Sequence, residues 1–323
     1  MSRTKNPTDA IQLDYQSFVI SRDAQHDRHM NNGIPDYSFS LDYHIRQQLN
    51  QIPLLRKVAE GLLSYRIPIL KVMYEEEGIV VGPDQFPHIY EMSVECANIL
   101  CMPIPNIYIE YNIHPNAFTL ATGHSDQIIV LTSGLLEALS DEELKYVIGH
   151  ECGHIHNKHI VYNTLWVILT NNIAQNLFLK VISKFGPAQW ILSLAQVAFT
   201  ATTKYIFGRW HRCAEITCDR AGLICVGDTR TAMNVPAKLR LGGAADIKGF
   251  NPDAYKSQMK NWNKSYFRLE ELFMTHPPGP QRAFAVERFS LTDVYHRWRP
   301  ELNHSEPPIP LAEIDEEIST YFT

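Results

Sequence analysis

The chain has 323 residues, 45% of them hydrophobic and 20% charged, which is enough apolar material for a real core and too much for a disordered segment. Its 29 Lys and Arg stand against 35 Asp and Glu, a net charge of −6. No basic run is interleaved with aromatics, so nucleic acid is excluded as a first guess at a partner. The N-terminal stretch MSRTKNPTDAIQLDY lacks the apolar segment and small-residue cleavage site of a secretory signal, and a cytoplasmic protein is expected.

Residues 1–42 read as a polar N-terminal arm, lying on the surface or mobile. From Tyr43 to about Leu70 the apolar positions Ile45, Leu49, Ile52, Leu55, Val58, Leu62 and Leu63 recur at helical spacing. Ile79-Val80-Val81 predicts a short strand, and a second helix is predicted from about Phe86 to Leu100. Three β-rich runs follow, Ile107–Ile109, Phe118–Leu120 and Ile128–Leu131, with the turn-forming Gly123-His124-Ser125-Asp126 before the last. They predict a small antiparallel sheet in the N-terminal half. Helices dominate after it, an α+β arrangement in one domain of about residues 43–299.

Ser140-Asp141-Glu142-Glu143 has the pattern of a capping box and opens the helix on which the chemistry is expected. That helix carries His150-Glu151-Cys152-Gly153-His154, an HExxH motif. Two histidines four residues apart project about 40° from one another, so both imidazoles can close on one metal ion. Glu151 stands where its carboxylate can take a proton from a metal-bound water. His156 is about 200° from His154 and, like His159, is read as solvated or as a neighbour of the ligands rather than a ligand.

A catalytic zinc site wants three protein ligands and an open position. The best third candidate is Glu215 in Ala214-Glu215-Ile216-Thr217-Cys218-Asp219-Arg220, where Glu215 and Asp219 share a helix face. Glu215 would ligate, and Asp219 would accept the outer N–H of a ligating histidine. An ordinary salt-bridged helix face is the competing reading of this pair. The six cysteines, Cys96, Cys101, Cys152, Cys213, Cys218 and Cys225, include no CxxC pair and read as buried thiols, with Cys152 and Cys218 close to the metal motif.

His150 to His154 with Glu215 and Asp219 resembles the gluzincin metallopeptidases, in particular the family of the bacterial heat-shock protease HtpX and the CAAX prenyl proteases, peptidase family M48. Pro115-Asn116-Ala117-Phe118, the phrase IVLTSGLLEALSDEELKYVIGHECGH and Thr275-His276-Pro277-Pro278 with Arg282 extend the likeness over roughly residues 80 to 290. The resemblance implies a mostly helical zincin-like fold and one Zn²⁺ per chain, held by His150, His154 and Glu215. It further implies Glu151 as general base, His276 as oxyanion donor with Arg282 orienting it or its loop, and a substrate-binding edge strand beginning at Asn116, Ala117 and Phe118. The expected function is a zinc-dependent endopeptidase acting on peptides or proteins. A catalytically latent zinc-binding scaffold or interaction protein is the alternative, and a deformylase-type HExxH hydrolase, for which no upstream ligand motif is present, is a weaker one.

Two long uncharged stretches, Ile160–Leu179 and Phe185–Thr203, predict a helical hairpin at about 160–208, where the resemblance implies spanning helices in membrane-bound relatives. Asn163, Asn171, Asn172, Gln175, Asn176, Gln189 and Gln196 make burial in lipid costly. A hairpin packed on the protein or on a second subunit is favoured over peripheral membrane contact. Residues 300–323, Pro-rich and then acidic, read as a solvated tail, with closure over the cleft as the sharper alternative.

Overall fold

The computed structural model describes residues 29–31, 33–51, 69, 71–121, 127–163, 189–242, 249–258 and 276–322, with side chains left aside at 121 and 189–204. The turn at Gly123–Asp126, most of the first predicted helix beyond Gln51, and residues 164–188 of the hairpin lie outside these.

A two-stranded ribbon, β1 (Met30–Asn31) with β2 (Ile34–Pro35), leads into helix α1 (Ser40–Asn50). β3 (Ile79–Val80), α2 (Pro87–Ile99), β4 (Asn106–Glu110), β5 (Ala117–Ala121) and β6 (Gln127–Thr132) follow. The helices after them are α3 (Ser133–Ala138), α4 (Asp141–His156), α5 (Gln189–Val226), α6 (Thr229–Arg240), α7 (Pro252–Ser257), α8 (Gly279–Ser290), α9 (Asp293–Trp298) and α10 (Leu311–Ser319). The predicted strands and the helix after Phe86 are all present, within a residue or two of their expected ends.

The four-stranded sheet has the order β3-β4-β6-β5. Its outer pairings, β3 with β4 and β5 with β6, are antiparallel, while β4 and β6 run parallel. The parallel pairing follows from the path of the chain. β5 is laid down one strand-width away from β4, and β6 turns back antiparallel to β5 into the gap between them. This leaves β5 as an edge strand among the described residues. Ile129 and Leu131 join Ile107 and Ile109 in the main core, and Ile128 and Val130 pack with Tyr108 on the other face. Burial on both faces is why β6 reads as a continuous apolar run rather than an alternating one.

The end of β6 sets the start of β5. Thr132 caps α3, accepts the Asn116 N–H at its hydroxyl (2.9 Å) and donates its own N–H to the Asn116 carbonyl (3.1 Å). The Gly134 N–H holds the Asn112 carbonyl at 2.8 Å. The Thr132-Ser133-Gly134 phrase is therefore a clamp on residues 112–116.

The described parts of both chain ends depart from the solvated reading. Tyr37 and Phe39 are fully buried, as are Ile314, Ile318 and Phe322 of the C-terminal helix and its end. The reason is electrostatic as much as apolar. Arg220 of α5 is buried between the rings of Phe39 and Phe289, 5.2 and 5.0 Å from their centroids, and Asp315 of α10 pairs with it at 2.6 Å. A buried guanidinium needs such a carboxylate, and the acidic tail supplies it.

Candidate metal centre

α4 opens with the expected capping box: the Ser140 N–H donates to the Glu143 carboxylate at 2.8 Å and the Glu143 N–H to the Ser140 hydroxyl. Every residue from Tyr146 to Ile155 is buried, so the metal motif sits on a helix enclosed on all sides rather than on an amphipathic one. Enclosure depends on small residues. A Cβ on Gly149 would come within 2.6 Å of the Cys225 Cβ, and one on Gly153 within 2.8 Å of the Ala221 Cβ. α4 and α5 thus approach closely along this seam, which carries Glu215 and Asp219 of α5 up to the histidines of α4.

His150, His154 and Glu215 are 7%, 5% and 2% exposed, which rules out the solvated salt-bridged face. The Glu215 carboxylate faces the Nε2 atoms of both histidines, with Oε2 3.6 Å from His150 and Oε1 3.4 Å from His154. A tetrahedral ion with bonds of about 2.1 Å has ligand-to-ligand edges of about 3.4 Å, so this donor set fits zinc. His150, His154 and Cys218 also each offer an atom within 4.8 Å of the other two. Glu215 meets the Nε2 atoms of both rings, at 3.6 and 3.4 Å. The Cys218 thiol lies 3.5 Å from Nδ1 of His159, behind His154, and burial pushes its pKa well up.

The far side of each histidine is occupied. Nδ1 of His150 donates to Asp219 Oδ1 at 3.0 Å, leaving its Nε2 lone pair toward Glu215. The same carboxylate accepts the Tyr146 hydroxyl at 2.8 Å and two bonds from Arg282, Nη2 to Oδ1 at 2.6 Å and Nε to Oδ2 at 2.8 Å. Burial pushes Asp219 up, but Arg282 and the His150 N–H outweigh it and hold the carboxyl at about 2. Glu215 is held below the usual carboxylate range although burial opposes it, by His276, His154, His150 and Arg282.

Nδ1 of His154 lies 3.2 Å from Nδ1 of His159, which is completely buried and reaches Asp42 on α1 through Nε2 at 3.0 Å. His159 is therefore a neighbour of the centre and not a solvated group, and burial lowers its pKa to about 4.

Glu151, 6% exposed, accepts the Thr119 hydroxyl from β5 at 2.5 Å. His276 stands at the rim with its side chain 58% exposed and Nε2 3.8 Å from Glu215 Oε2. Arg282, in the first turn of α8, touches Asp219 and lies 3.6 Å from Glu215 Oε2, so its described contacts are with the acids of α5. Asn116 is exposed at the start of β5, whereas Ala117 and Phe118 are half-buried. Phe118 turns to the small cluster of Tyr108, Ile128 and Val130.

Sequence reasoning did not find Tyr146, Thr119 or Asp42, nor His211, a buried ring edge-on to His276 at 5.5 Å. Tyr146 stands one helical turn before His150 and was within reach of a spacing argument. His211 likewise stands one turn before Glu215 on α5, whereas Thr119 and Asp42 come from elements distant in sequence, and no local pattern marks those two. All six cysteines are buried free thiols, as their composition suggested.

Metal-assisted hydrolysis is the chemistry such an arrangement serves, which puts the protein among the metallopeptidases. Within that class the chain belongs to Peptidase family M48, which matches residues 83–290. The "Plastoglobule-localized metallopeptidase 48, chloroplastic" of Arabidopsis thaliana is 29% identical over 264 residues, covering 79% of this chain and 72% of that protein. A "Protease HtpX homolog" of Pediococcus pentosaceus is 36% identical over 248 residues, covering 67% and 78%. The solved structure of S. mikatae Ste24p aligns with a TM-score of 0.48 at 14% identity and covers 77% of this chain and 62% of that one. The family match and the described elements make the fold α+β and zincin-like, mostly helical, around an HExxH helix.

Proposed function

We propose that the chain is a zinc-dependent endopeptidase with one Zn²⁺ held by Nε2 of His150, Nε2 of His154 and the carboxylate of Glu215. The observation that carries this reading is the convergence of both Nε2 atoms on one buried carboxylate, at 3.6 and 3.4 Å. When bound there, zinc supplies Lewis-acid polarisation of a scissile carbonyl and acidifies a water.

The chain's own residues do the rest. Glu151 takes a proton from the attacking water at its carboxylate and returns it to the leaving amine, and the Thr119 hydroxyl keeps that carboxylate on the substrate side of α4. β5 aligns the peptide. Because the Asn116 carbonyl accepts from Thr132 on β6, alternation turns the main-chain groups of Ala117 and Thr119 outward, where an extended substrate adds as a further strand. His276 at the rim donates to the oxyanion, and Arg282 keeps Asp219 and Glu215 ionised and in place.

Among the described residues no helix is long and apolar enough to cross a membrane. Contact with a membrane surface or a second copy of the chain is assigned to residues 160–208, a reading supported by the two uncharged stretches in it, 160–179 and 185–203.

Glu151→Gln tests the mechanism. The variant should keep zinc and fold yet lose cleavage of a quenched-peptide library by at least about a hundredfold. Cleavage retained in the variant would remove Glu151 from its role, and zinc bound by a parent that cleaves nothing would favour the latent scaffold.

A further inference from the structure

The two histidines of the motif are supported unequally. His150 hands its outer N–H directly to a carboxylate, Asp219. On the reading that His154 ligates through Nε2, its Nδ1 keeps a proton, and that proton needs an acceptor inside a closed core. His159 Nδ1, 3.2 Å away, can be that acceptor only if His159 carries its own proton on Nε2. That is the side on which Asp42 lies, at 3.0 Å.

Asp42 is suited to fix that choice. It is fully buried and accepts from Trp210 Nε1 at Oδ1 (2.9 Å) and from the Thr217 hydroxyl at Oδ2 (2.8 Å), in addition to His159. An ionised carboxylate has no proton to give, so every neighbour in this ring must be a donor, His159 Nε2 included. The Cys218 thiol, 3.5 Å from His159 Nδ1, is the longer-range competitor for that single lone pair, a weak donor beside the His154 N–H at 3.2 Å. We propose that Asp42 and His159 are positioning residues for the metal centre: Asp42 sets the tautomer of His159, and His159 in turn holds His154 with its Nε2 lone pair toward Glu215.

Asp42 comes from outside the residues that match the family, since the match begins at residue 83 and Asp42 stands on α1, while His159 lies within them. It gives the N-terminal segment a part in metal binding that a polar surface arm would not have. The Asn163 amide, 3.4 Å from the same His154 nitrogen, is the competing acceptor if its oxygen faces the ring.

The inference rests on the zinc reading, and its test separates the two. Zn²⁺ affinity is measured by competition with a chromophoric chelator for the parent, Asp42→Asn, His159→Leu and His159→Asn. Asp42→Asn keeps the shape but puts an amide among donors. His159→Leu removes the acceptor, and His159→Asn restores an acceptor oxygen near the Nδ1 position. The expected result is a loss of about 10–100-fold in affinity for Asp42→Asn and His159→Leu, with His159→Asn recovering most of it. Equal affinity in the parent and His159→Leu would overturn the relay and leave the acceptor role to Asn163. A parent that binds no zinc would instead overturn the metal site itself. If the variants do not fold, the parent alone decides. In the metal-free, ¹⁵N-histidine-labelled protein, His159 must show the Nε2–H tautomer, and the Nδ1–H tautomer would contradict the proposal.

Discussion

Arg282 grips Asp219 with two hydrogen bonds, Nη2 to Oδ1 at 2.6 Å and Nε to Oδ2 at 2.8 Å, while Asp219 Oδ1 also receives the His150 Nδ1–H at 3.0 Å. The guanidinium is thus tied to the orientation of the His150 ring on another helix. Arg282→Met removes the pair's cation and leaves a carboxylate in a site where it is 1% exposed, a change that typically costs about 3–5 kcal/mol. We expect a melting temperature lowered by several degrees together with zinc affinity lowered by about 10–100-fold, read by chelator competition. Arg282→Lys should recover little, because an ammonium cannot make the two parallel bonds.

The C-terminal helix is part of the core, so its removal should destabilise the protein and not release activity. Deleting residues 306–323 strips Asp315 from Arg220, which is buried and 2.6 Å from it, and uncovers Phe39 and Phe207 beneath Ile314 and Ile318. Leaving the guanidinium unpaired costs about 3–5 kcal/mol before the apolar loss is counted. Thermal unfolding of the truncated chain checks this, and a truncated protein of parental stability with raised peptidase activity would restore the tail as a cover for the cleft.

Acid should destabilise the metal-free protein earlier than carboxylate titration alone would predict. His159 is held at about 4 by burial, below its ordinary 6.5, so the folded state favours the neutral ring. A histidine of lowered pKa contributes stability that is present above its unfolded value and is lost as the pH falls from about 6.5 toward 4, because the unfolded chain then binds the extra proton. Asp42, held low by His159 and Arg46 against the effect of burial, adds a loss of the same sign at lower pH. The melting temperature of the chelator-treated parent should therefore fall across this range, and the slope should flatten in His159→Asn.

Much of this architecture was legible in the sequence, for reasons that differ by element. The Ser140-to-Glu143 cap and the i, i+4 spacings of His150 with His154 and of Glu215 with Asp219 are local, and local geometry follows from helical periodicity. The strands were found because β-branched runs mark them, but the place of β6 between β4 and β5 was not, since pairing order depends on contacts distant in the chain. The tail was misjudged for a related reason. Glu313, Asp315, Glu316 and Glu317 look alike in sequence, yet Asp315 alone among them meets the buried Arg220. Thr119 and Asp42 have the same character: an ordinary threonine in a strand and an aspartate in a polar segment acquire their roles only when β5 and α1 close on α4.

Whether Glu215 completes a zinc site with His150 and His154 is decided by the metal content of the purified protein beside its Glu215→Ala variant. About one zinc per chain is expected in the parent, with loss of both zinc and peptide cleavage in a variant that remains folded. Zinc retained at parental affinity in Glu215→Ala would contradict the Glu215 assignment and would move the third position to Cys218, the other donor within 4.8 Å of both histidines.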